Sequence, residues 1–396
     1  MRILMASHGY PPTISGVTLV VQKLARAMLQ KGHAVTVVTA SDRQEPYEAT
    51  DQGVRLVRVH SWKNPYWKEG PIPTATRAEL DALVDEFQPD VLHVHEVAVL
   101  ALRFRGLARR YGLPLLASCH FVPRFAGWYL GENGLRHPVE SVVRNYSVWF
   151  LNRCDHVVFA TQAHLDFFRK LGMTAPTTIV SNGVDTVRYC AQNGSDPDVE
   201  NKYHLPPGPR ILFVSRLMRD KEIDVLIRAM PRVASLGAHL LLVGRGDDRP
   251  RLEAIVQELG LEQQVHFLGF VPEEDMPALY RAVDLFSIVS TCEVQSLPTL
   301  QAMCTALPVV AADAMALPEI VKHQVNGLLV PPGDVEAVGT AMYRILSDRE
   351  MARRMGQEGR RIVEQHRERY TFDGYEAVYQ RLVERQAHRL PVAMGR

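Results

Sequence analysis

Two α/β domains in tandem, each built on a parallel sheet, are what this 396-residue sequence predicts. Three observations lead there. Short β-branched or leucine-rich runs alternate with longer amphipathic stretches, the pattern of βαβ units. A breaker-rich, apolar-poor stretch at 191–209 separates two such series. The length, at roughly 100–200 residues per domain, is that of two domains with a core each.

In the first series the strands are expected at Arg2–Ala6, Ala34–Thr39, Val54–Val59, Val91–His95, Leu115–Ser118, His156–Ala160 and Thr177–Ser181. Between the first two, Val17–Lys31 carries apolar residues at helical spacing and is closed by Gly32. The junction reads Asn193-Gly194-Ser195-Asp196-Pro197-Asp198, then Pro206-Pro207-Gly208-Pro209. The pattern restarts with strands at Ile211–Val214, Leu240–Val243, Val265–Leu268, Leu285–Val289, Val309–Ala311 and Gly327–Val330. The tail Thr371–Arg385 is helical in pattern and belongs to neither series. The expected organisation is a first domain over 1–190, a linker over 191–209, a second domain over 210–370, and a terminal helix and tail over 371–396.

Composition narrows the function. With 45 Lys+Arg against 44 Asp+Glu, the net charge of +1 argues against a nucleic-acid binder that works by bulk electrostatics. No apolar run reaches the ~18–20 residues that span a bilayer. The start, Met1 to Ala6, reads as a buried strand rather than a signal peptide. The five cysteines are scattered and form no C-x-x-C pair, which suggests neither a disulfide framework nor a zinc site and fits a reducing cytoplasm.

Ligands of open parallel sheets sit at the carboxyl ends of strands, so the loops there carry the chemistry. After Ile211–Val214 come Arg216 and Lys221, five residues apart. Either they offset the charge that grows on a departing diphosphate, or they belong to an ordinary solvated loop. After Leu240–Val243 comes Gly244-Arg245-Gly246, either a close approach to phosphate or a tight turn; Arg249 leaves the dinucleotide fingerprint incomplete. The segment Ser290 to Met303 follows a buried strand and opens a helix. Its Glu293 is placed to grip sugar hydroxyls, or else serves as a favourable charge at a helix amino end. The only D-x-D, Asp196-Pro197-Asp198, falls in the expected linker and makes a poor metal site.

Together these segments resemble the retaining family 4 glycosyltransferases of the GT-B fold. The matching motifs, in order, are Ser15-Gly16-Val17, Asn182-Gly183-Val184-Asp185, Arg216 with Lys221, Gly244-Arg245-Gly246, Glu293 to Gln301, Leu317-Pro318-Glu319, and Asn326 to Asp334. The resemblance implies two Rossmann-like domains facing each other across a cleft, with the C-terminal helix returning to the first. It implies a nucleotide sugar held mainly by the second domain and an acceptor held by the first. Arg216 and Lys221 match the pair that holds the donor diphosphate, and Glu293 the first acid of an E-x7-E motif that contacts the donor sugar. Gln295, Ser296 and Leu297 would lie against sugar and phosphate. His120 matches a histidine near the reacting centre, and Gly16, at a helix amino end, would let the chain approach the diphosphate.

Four positions depart from the pattern. Gln301 stands where the second Glu, which binds ribose, is usual; Ser15 and Ser296 stand where Gly is common; and Glu222 follows Lys221 where Gly is usual.

All four tryptophans, Trp62, Trp67, Trp128 and Trp149, fall in the first domain. Residues 101–153 carry eight arginines against two acids, a local balance of +6. The run Phe121 to Leu130 interleaves Arg124 with Phe125, Trp128 and Tyr129. It resembles the corresponding part of diacylglycerol glycosyltransferases, as does Ile14-Ser15-Gly16-Val17. Trp62, Trp67, Arg124, Phe125, Trp128 and Tyr129 are the candidates for an acceptor or anionic-membrane face. Core aromatics beside a solvated basic face are the alternative.

The expected protein is a metal-independent, cofactor-free retaining hexosyltransferase. It is expected to move glucose from UDP-glucose to a lipid hydroxyl such as that of diacylglycerol, in the cytoplasm and peripherally at the inner face of the cell membrane. Two alternatives stand beside it: transfer from GDP-mannose or another nucleotide sugar to a soluble acceptor or polysaccharide, and non-catalytic nucleotide-sugar binding.

Overall fold

The computed structural model describes residues 1–13, 15–63, 70–123, 136–190 and 197–389. The chain packs as two units, Met1–Ser181 with Arg369–Arg396, and Asn182–Glu368.

The first unit is built on β1 (Arg2–Ala6), β2 (Ala34–Ala40), β3 (Tyr47–Asp51), β4 (Val54–Val59), β7 (Val91–Val94), β8 (Leu115–Cys119), β9 (His156–Phe159) and β10 (Thr177–Ile179), with β5 (Ser61–Trp62) and β6 (Ile72–Pro73) as a separate antiparallel pair. The eight-stranded sheet runs β10-β9-β8-β7-β1-β2-β4-β3. β1 lies in its middle, and Ile3, Leu4 and Met5 are fully buried, as a parallel strand covered on both faces requires. Helix Gly16–Gln30 buries Val20, Val21, Leu24, Ala25 and Met28 and starts from a capping box between Ser15 and Thr18. Ser15, where glycine is common, therefore supplies a cap.

β3 is an element that hydrophobic patterning does not reveal. It pairs antiparallel with β4 through a two-residue turn in which Gln52 and Gly53 have φ of 48° and 92°. Tyr-Glu-Ala-Thr-Asp has no apolar run because it forms the polar edge of the sheet.

The second unit contains β11 (Arg210–Val214), β12 (His239–Val243), β13 (Val265–Gly269), β14 (Leu285–Ile288), β15 (Val309–Ala312) and β16 (Gly327–Val330), all parallel, in the order β13-β12-β11-β14-β15-β16. The expected α/β architecture of two Rossmann-like sheets is what the structure has. The terminal helix Glu368–Arg389 packs on the first unit, where Tyr375 and Tyr379 join the core with Ile3, Met5 and Val158. Lys31 reaches Asp373 and Glu376 at 2.6 and 2.8 Å.

The boundary between units falls at 181/182, ahead of the breaker-rich stretch. Val184 N–H donates to the His366 carbonyl at 2.8 Å, and Tyr189 is buried in the second core beside Tyr280 and Phe286. The return crossing falls at 368/369. Breaker residues mark a change of direction; the unit to which a segment belongs follows from what its buried side chains touch.

Each sheet has one topological switch point, where successive strands proceed in opposite directions from a central pair. In the first sheet it lies between β1 and β7, and in the second between β11 and β14.

Candidate functional site

The loops that follow β11 and β14 meet at the switch point of the second sheet, and they carry the residues singled out in the sequence. Lys221 ends a 3-10 turn, Arg219–Lys221, and its Nζ donates to Glu293 Oε1 at 2.7 Å, with Asp220 Oδ2 at 3.3 Å. The Lys221 and Glu293 side chains are only 8% and 12% exposed. Burial works against the Lys221 charge, but Glu293 and Asp220 outweigh it and hold its pKa above the usual lysine value. Two further bonds lace the loops: Ser290 Oγ donates to the Asp220 carbonyl at 3.0 Å, and Thr291 Oγ1 donates to the Glu222 carboxylate. Glu222 has φ 50° and ψ 38°. That left-handed conformation explains why glycine suits the position; glutamate bears a cost of roughly 1–2 kcal/mol there and gains the bond to Thr291.

The glycines after β12 serve loop packing. A Cβ on Gly244, whose φ is +133°, would lie 1.9 Å from the Ser215 carbonyl oxygen, and one on Gly246 2.1 Å from that of Leu217. Leu217 N–H also donates to the Arg245 carbonyl at 2.8 Å. The Gly-Arg-Gly turn is thus pressed against the loop that carries Arg216.

Downstream of Glu293, Gln295 is buried and its Oε1 accepts from Asn182 N–H at 2.7 Å. Ser296 caps helix Leu297–Cys304 by accepting from Thr299 N–H, and Leu297 is the first residue of that helix. Gln301 is spanned between two buried tyrosines. Tyr280 OH donates to its Oε1 at 3.0 Å, its Nε2 donates to Tyr189 OH at 2.9 Å, and Tyr189 OH donates to Glu273 Oε1 at 2.9 Å. Only a group with a donor and an acceptor completes this series, which gives the amide at 301 a structural reason.

In the first unit, His120 follows β8. Its Nε2 lies 3.3 Å from His95 Nδ1, with the two rings nearly parallel. Burial lowers its pKa to about 4, so the imidazole is neutral at physiological pH. His95 packs on His93, whose Nδ1 and Nε2 bond to Tyr379 OH at 2.7 Å and Ser118 Oγ at 2.8 Å. Ser118 in turn bonds to Tyr375 OH at 2.8 Å, tying the terminal helix to the strand before His120. Among the described residues a Cβ on Gly16, at the amino end of the first helix, would meet nothing within 4 Å.

Of the acceptor or membrane candidates, Trp62 is described and is 64% exposed. Trp67, Arg124, Phe125, Trp128 and Tyr129 lie outside the described residues. Trp149 is 38% exposed, with the guanidinium carbons of Arg105 and Arg153 at 5.0 and 4.6 Å from its ring centre. Among the described residues no helix is long and apolar enough to cross a membrane, and no group of three or more His, Cys, Asp or Glu is arranged to hold a metal.

The sequence reading missed Asp220, Ser290 and Thr291 as parts of the second-unit site, and Ser7, His8 and Glu96 at the switch point of the first sheet. The run His93-Val94-His95-Glu96 at a strand's carboxyl end was the available signal; its meaning depends on β1 and β7 being neighbours.

Residues 14–188 match the family described as Glycosyltransferase Family 4, and residues 198–362 that described as Glycosyl transferases group 1. An uncharacterized glycosyltransferase of Methanocaldococcus jannaschii is 28% identical over 362 residues, covering 88% of this chain and 90% of that one. The GDP-mannose-dependent alpha-(1-6)-phosphatidylinositol monomannoside mannosyltransferase of Mycobacterium tuberculosis is 26% identical over 378 residues, covering 91% and 93%. The structure of Anabaena HepE in complex with UDP-glucose matches at TM-score 0.76 and 21% identity, covering 98% and 100%. The two family matches together take in most of the sequence, and the chain belongs to the glycosyltransferases of the GT-B fold, with a family 4 first half and a group 1 second half.

Proposed function

We propose that the chain is a retaining hexosyltransferase that takes glucose from UDP-glucose and delivers it to a lipid hydroxyl, such as that of diacylglycerol, at an anionic membrane surface. The observation that carries the donor side is the Lys221–Glu293 pair at the β11/β14 switch point. It presents a cation for the diphosphate beside a carboxylate for the sugar hydroxyls. Lys221 and Arg216 offset the charge that develops on the departing diphosphate, so the step needs no metal. In this reading the acceptor oxygen bonds to the anomeric carbon on the face the diphosphate leaves, the anomeric C–O bond to the phosphate breaks, and the acceptor proton passes to a phosphate oxygen. Glu293, Gln295, Ser296 and Leu297 line the sugar and phosphate.

The lipid acceptor rests on the basic, tryptophan-bearing stretch of the first unit, where Arg105 and Arg153 flank exposed Trp149, and on the mycobacterial relative, a phosphatidylinositol monomannoside mannosyltransferase. That relative also favours a second reading, GDP-mannose as donor. UDP-glucose is the sugar nucleotide bound to the Anabaena protein. The test is transfer from a panel of nucleotide sugars to diacylglycerol in anionic vesicles, with the anomeric configuration read by NMR. An α-linked glycolipid from an α-linked UDP-glucose supports the reading. Inversion, or transfer only to soluble acceptors, refutes it.

A further inference from the structure

At the switch point of the first sheet, the ends of β1, β7 and β8 are laced together by polar side chains. Glu96, two residues past β7, accepts from Ser7 Oγ at 3.0 Å through Oε1 and from His8 N–H at 3.1 Å through Oε2. Ser7 Oγ also lies 2.8 Å from the Gly9 carbonyl, and its one proton is shared between the two acceptors, so the loop leaving β1 is held against β7. On the other side, His95 joins the end of β7 to His120 at the end of β8.

Glu96 is partly buried, and among the described residues no Lys or Arg pairs with it. A carboxylate offers about four acceptor positions, and the two protein donors use one on each oxygen. Room remains for a hydroxyl donor on a group that the fold has pre-oriented. β7 and β8 are neighbouring strands, which lie about 4.8 Å apart, so the loops that carry Glu96 and His120 leave adjacent strands of the sheet. The imidazole Nε2 atoms of His8 and His95 are buried without a partner among the described residues, further polar capacity at this end of the sheet.

We propose that Glu96 binds the acceptor's hydroxyl group, making the β1/β7 switch point a seat for an uncharged, hydroxyl-bearing acceptor. The inference rests on the glycosyltransferase reading and adds to it a residue and a selectivity. An anionic headgroup placed against an uncompensated carboxylate is repelled, whereas a diol or glycerol hydroxyl is held. Burial also pushes the Glu96 carboxyl up to about 7, against the opposing hydrogen bonds from His8 and Ser7, so the group passes between acceptor-only and donor forms near neutral pH.

The experiment compares wild type with Glu96→Gln, Glu96→Ala and Ser7→Ala. For each, KM is measured for a short-chain diacylglycerol and for UDP-glucose, together with UDP-glucose hydrolysis by water and the melting temperature. The expected result is an acceptor KM raised about tenfold or more in Glu96→Ala, less in Glu96→Gln, with donor KM and hydrolysis within twofold. Ser7→Ala, which keeps the carboxyl, is expected to raise the acceptor KM by a smaller factor. Unchanged acceptor KM in folded variants overturns the proposal, as does a preference of wild type for a phosphate-bearing acceptor with the same chains. If wild type turns over no nucleotide sugar, even to water, the glycosyltransferase reading itself falls, and this inference with it.

Discussion

Replacing Glu293 with leucine leaves the Lys221 ammonium in a site that is 92% closed to solvent, with Asp220 Oδ2 at 3.3 Å. Breaking a buried pair by removing one partner costs about 3–5 kcal/mol. Asp220 remains as partial compensation, so the lower end, about 3 kcal/mol, is expected. Lys221→Met takes the cation from both Glu293 and Asp220, at a similar cost or more. The double variant removes both charges of the pair but still takes the cation from buried Asp220, so its loss is expected to fall below the sum of about 6 kcal/mol. Residues 182–368 contain no tryptophan, so the transition is followed by hydrogen exchange of peptides covering 210–222 and 285–304, or by circular dichroism, in urea. All three variants are expected to lose UDP-glucose binding, including the double variant with its less-than-additive loss of stability. Additive losses would refute the coupling, and retained donor binding in the double variant would refute the assignment of this pair to the donor.

Four other outcomes are expected. Gln301→Glu places a carboxylate opposite the Tyr189 oxygen, whose one proton already goes to Glu273; a loss of about 1–3 kcal/mol in urea unfolding is expected, and unchanged stability would contradict the series of bonds. Gly244→Ala and Gly246→Ala force a Cβ to within 1.9 and 2.1 Å of carbonyl oxygens and are expected to melt at least several degrees lower, whereas Gly16→Ala, whose Cβ meets no described atom within 4 Å, keeps its melting temperature. Tyr379→Phe leaves His93 Nδ1 without its partner, and a loss of about 1–3 kcal/mol should appear as faster exchange in the terminal helix. Glu96 holds its proton up to about 7 in the folded chain against 4.5 in a model peptide. Its folded pKa is raised, so it lowers stability progressively as pH rises from about 4.5 to about 7, by up to about 3 kcal/mol. Glu96→Gln should flatten that part of the curve, and an unchanged slope between pH 5 and 8 would show that Glu96 is not the group.

The strands most legible in the sequence are those with an apolar run: all thirteen expected strands are present, with ends within about two residues. β3 was not legible because its residues face solvent, and its only local signal is the Gln52-Gly53 turn. The unit boundary was misplaced for a related reason. Asn193 to Pro209 looks like a linker by composition, but Tyr189 and Val184 upstream already belong to the second core. At the site, the pairing of Lys221 with Glu293 follows from β11 and β14 being adjacent, a fact of topology that no spacing of 72 residues reveals. Glycine was legible at 244 and 246, but the neighbouring loop that a Cβ there would strike was not. Gln301 reads as a weakened ribose ligand in sequence and as the middle of a tyrosine-bound series in structure. Buried side-chain partners decide such cases, and they lie far away along the chain.

The central claim is that the β11/β14 switch point holds a nucleotide sugar. Hydrogen exchange with and without saturating UDP-glucose tests it most directly. The account predicts protection of residues 215–222 and 290–301 and, at 100 times the dissociation constant, about 2.7 kcal/mol of added stability, both absent from the Lys221→Met/Glu293→Leu variant. Protection confined to other segments, or none from UDP-glucose, GDP-mannose or any other nucleotide sugar, would contradict it.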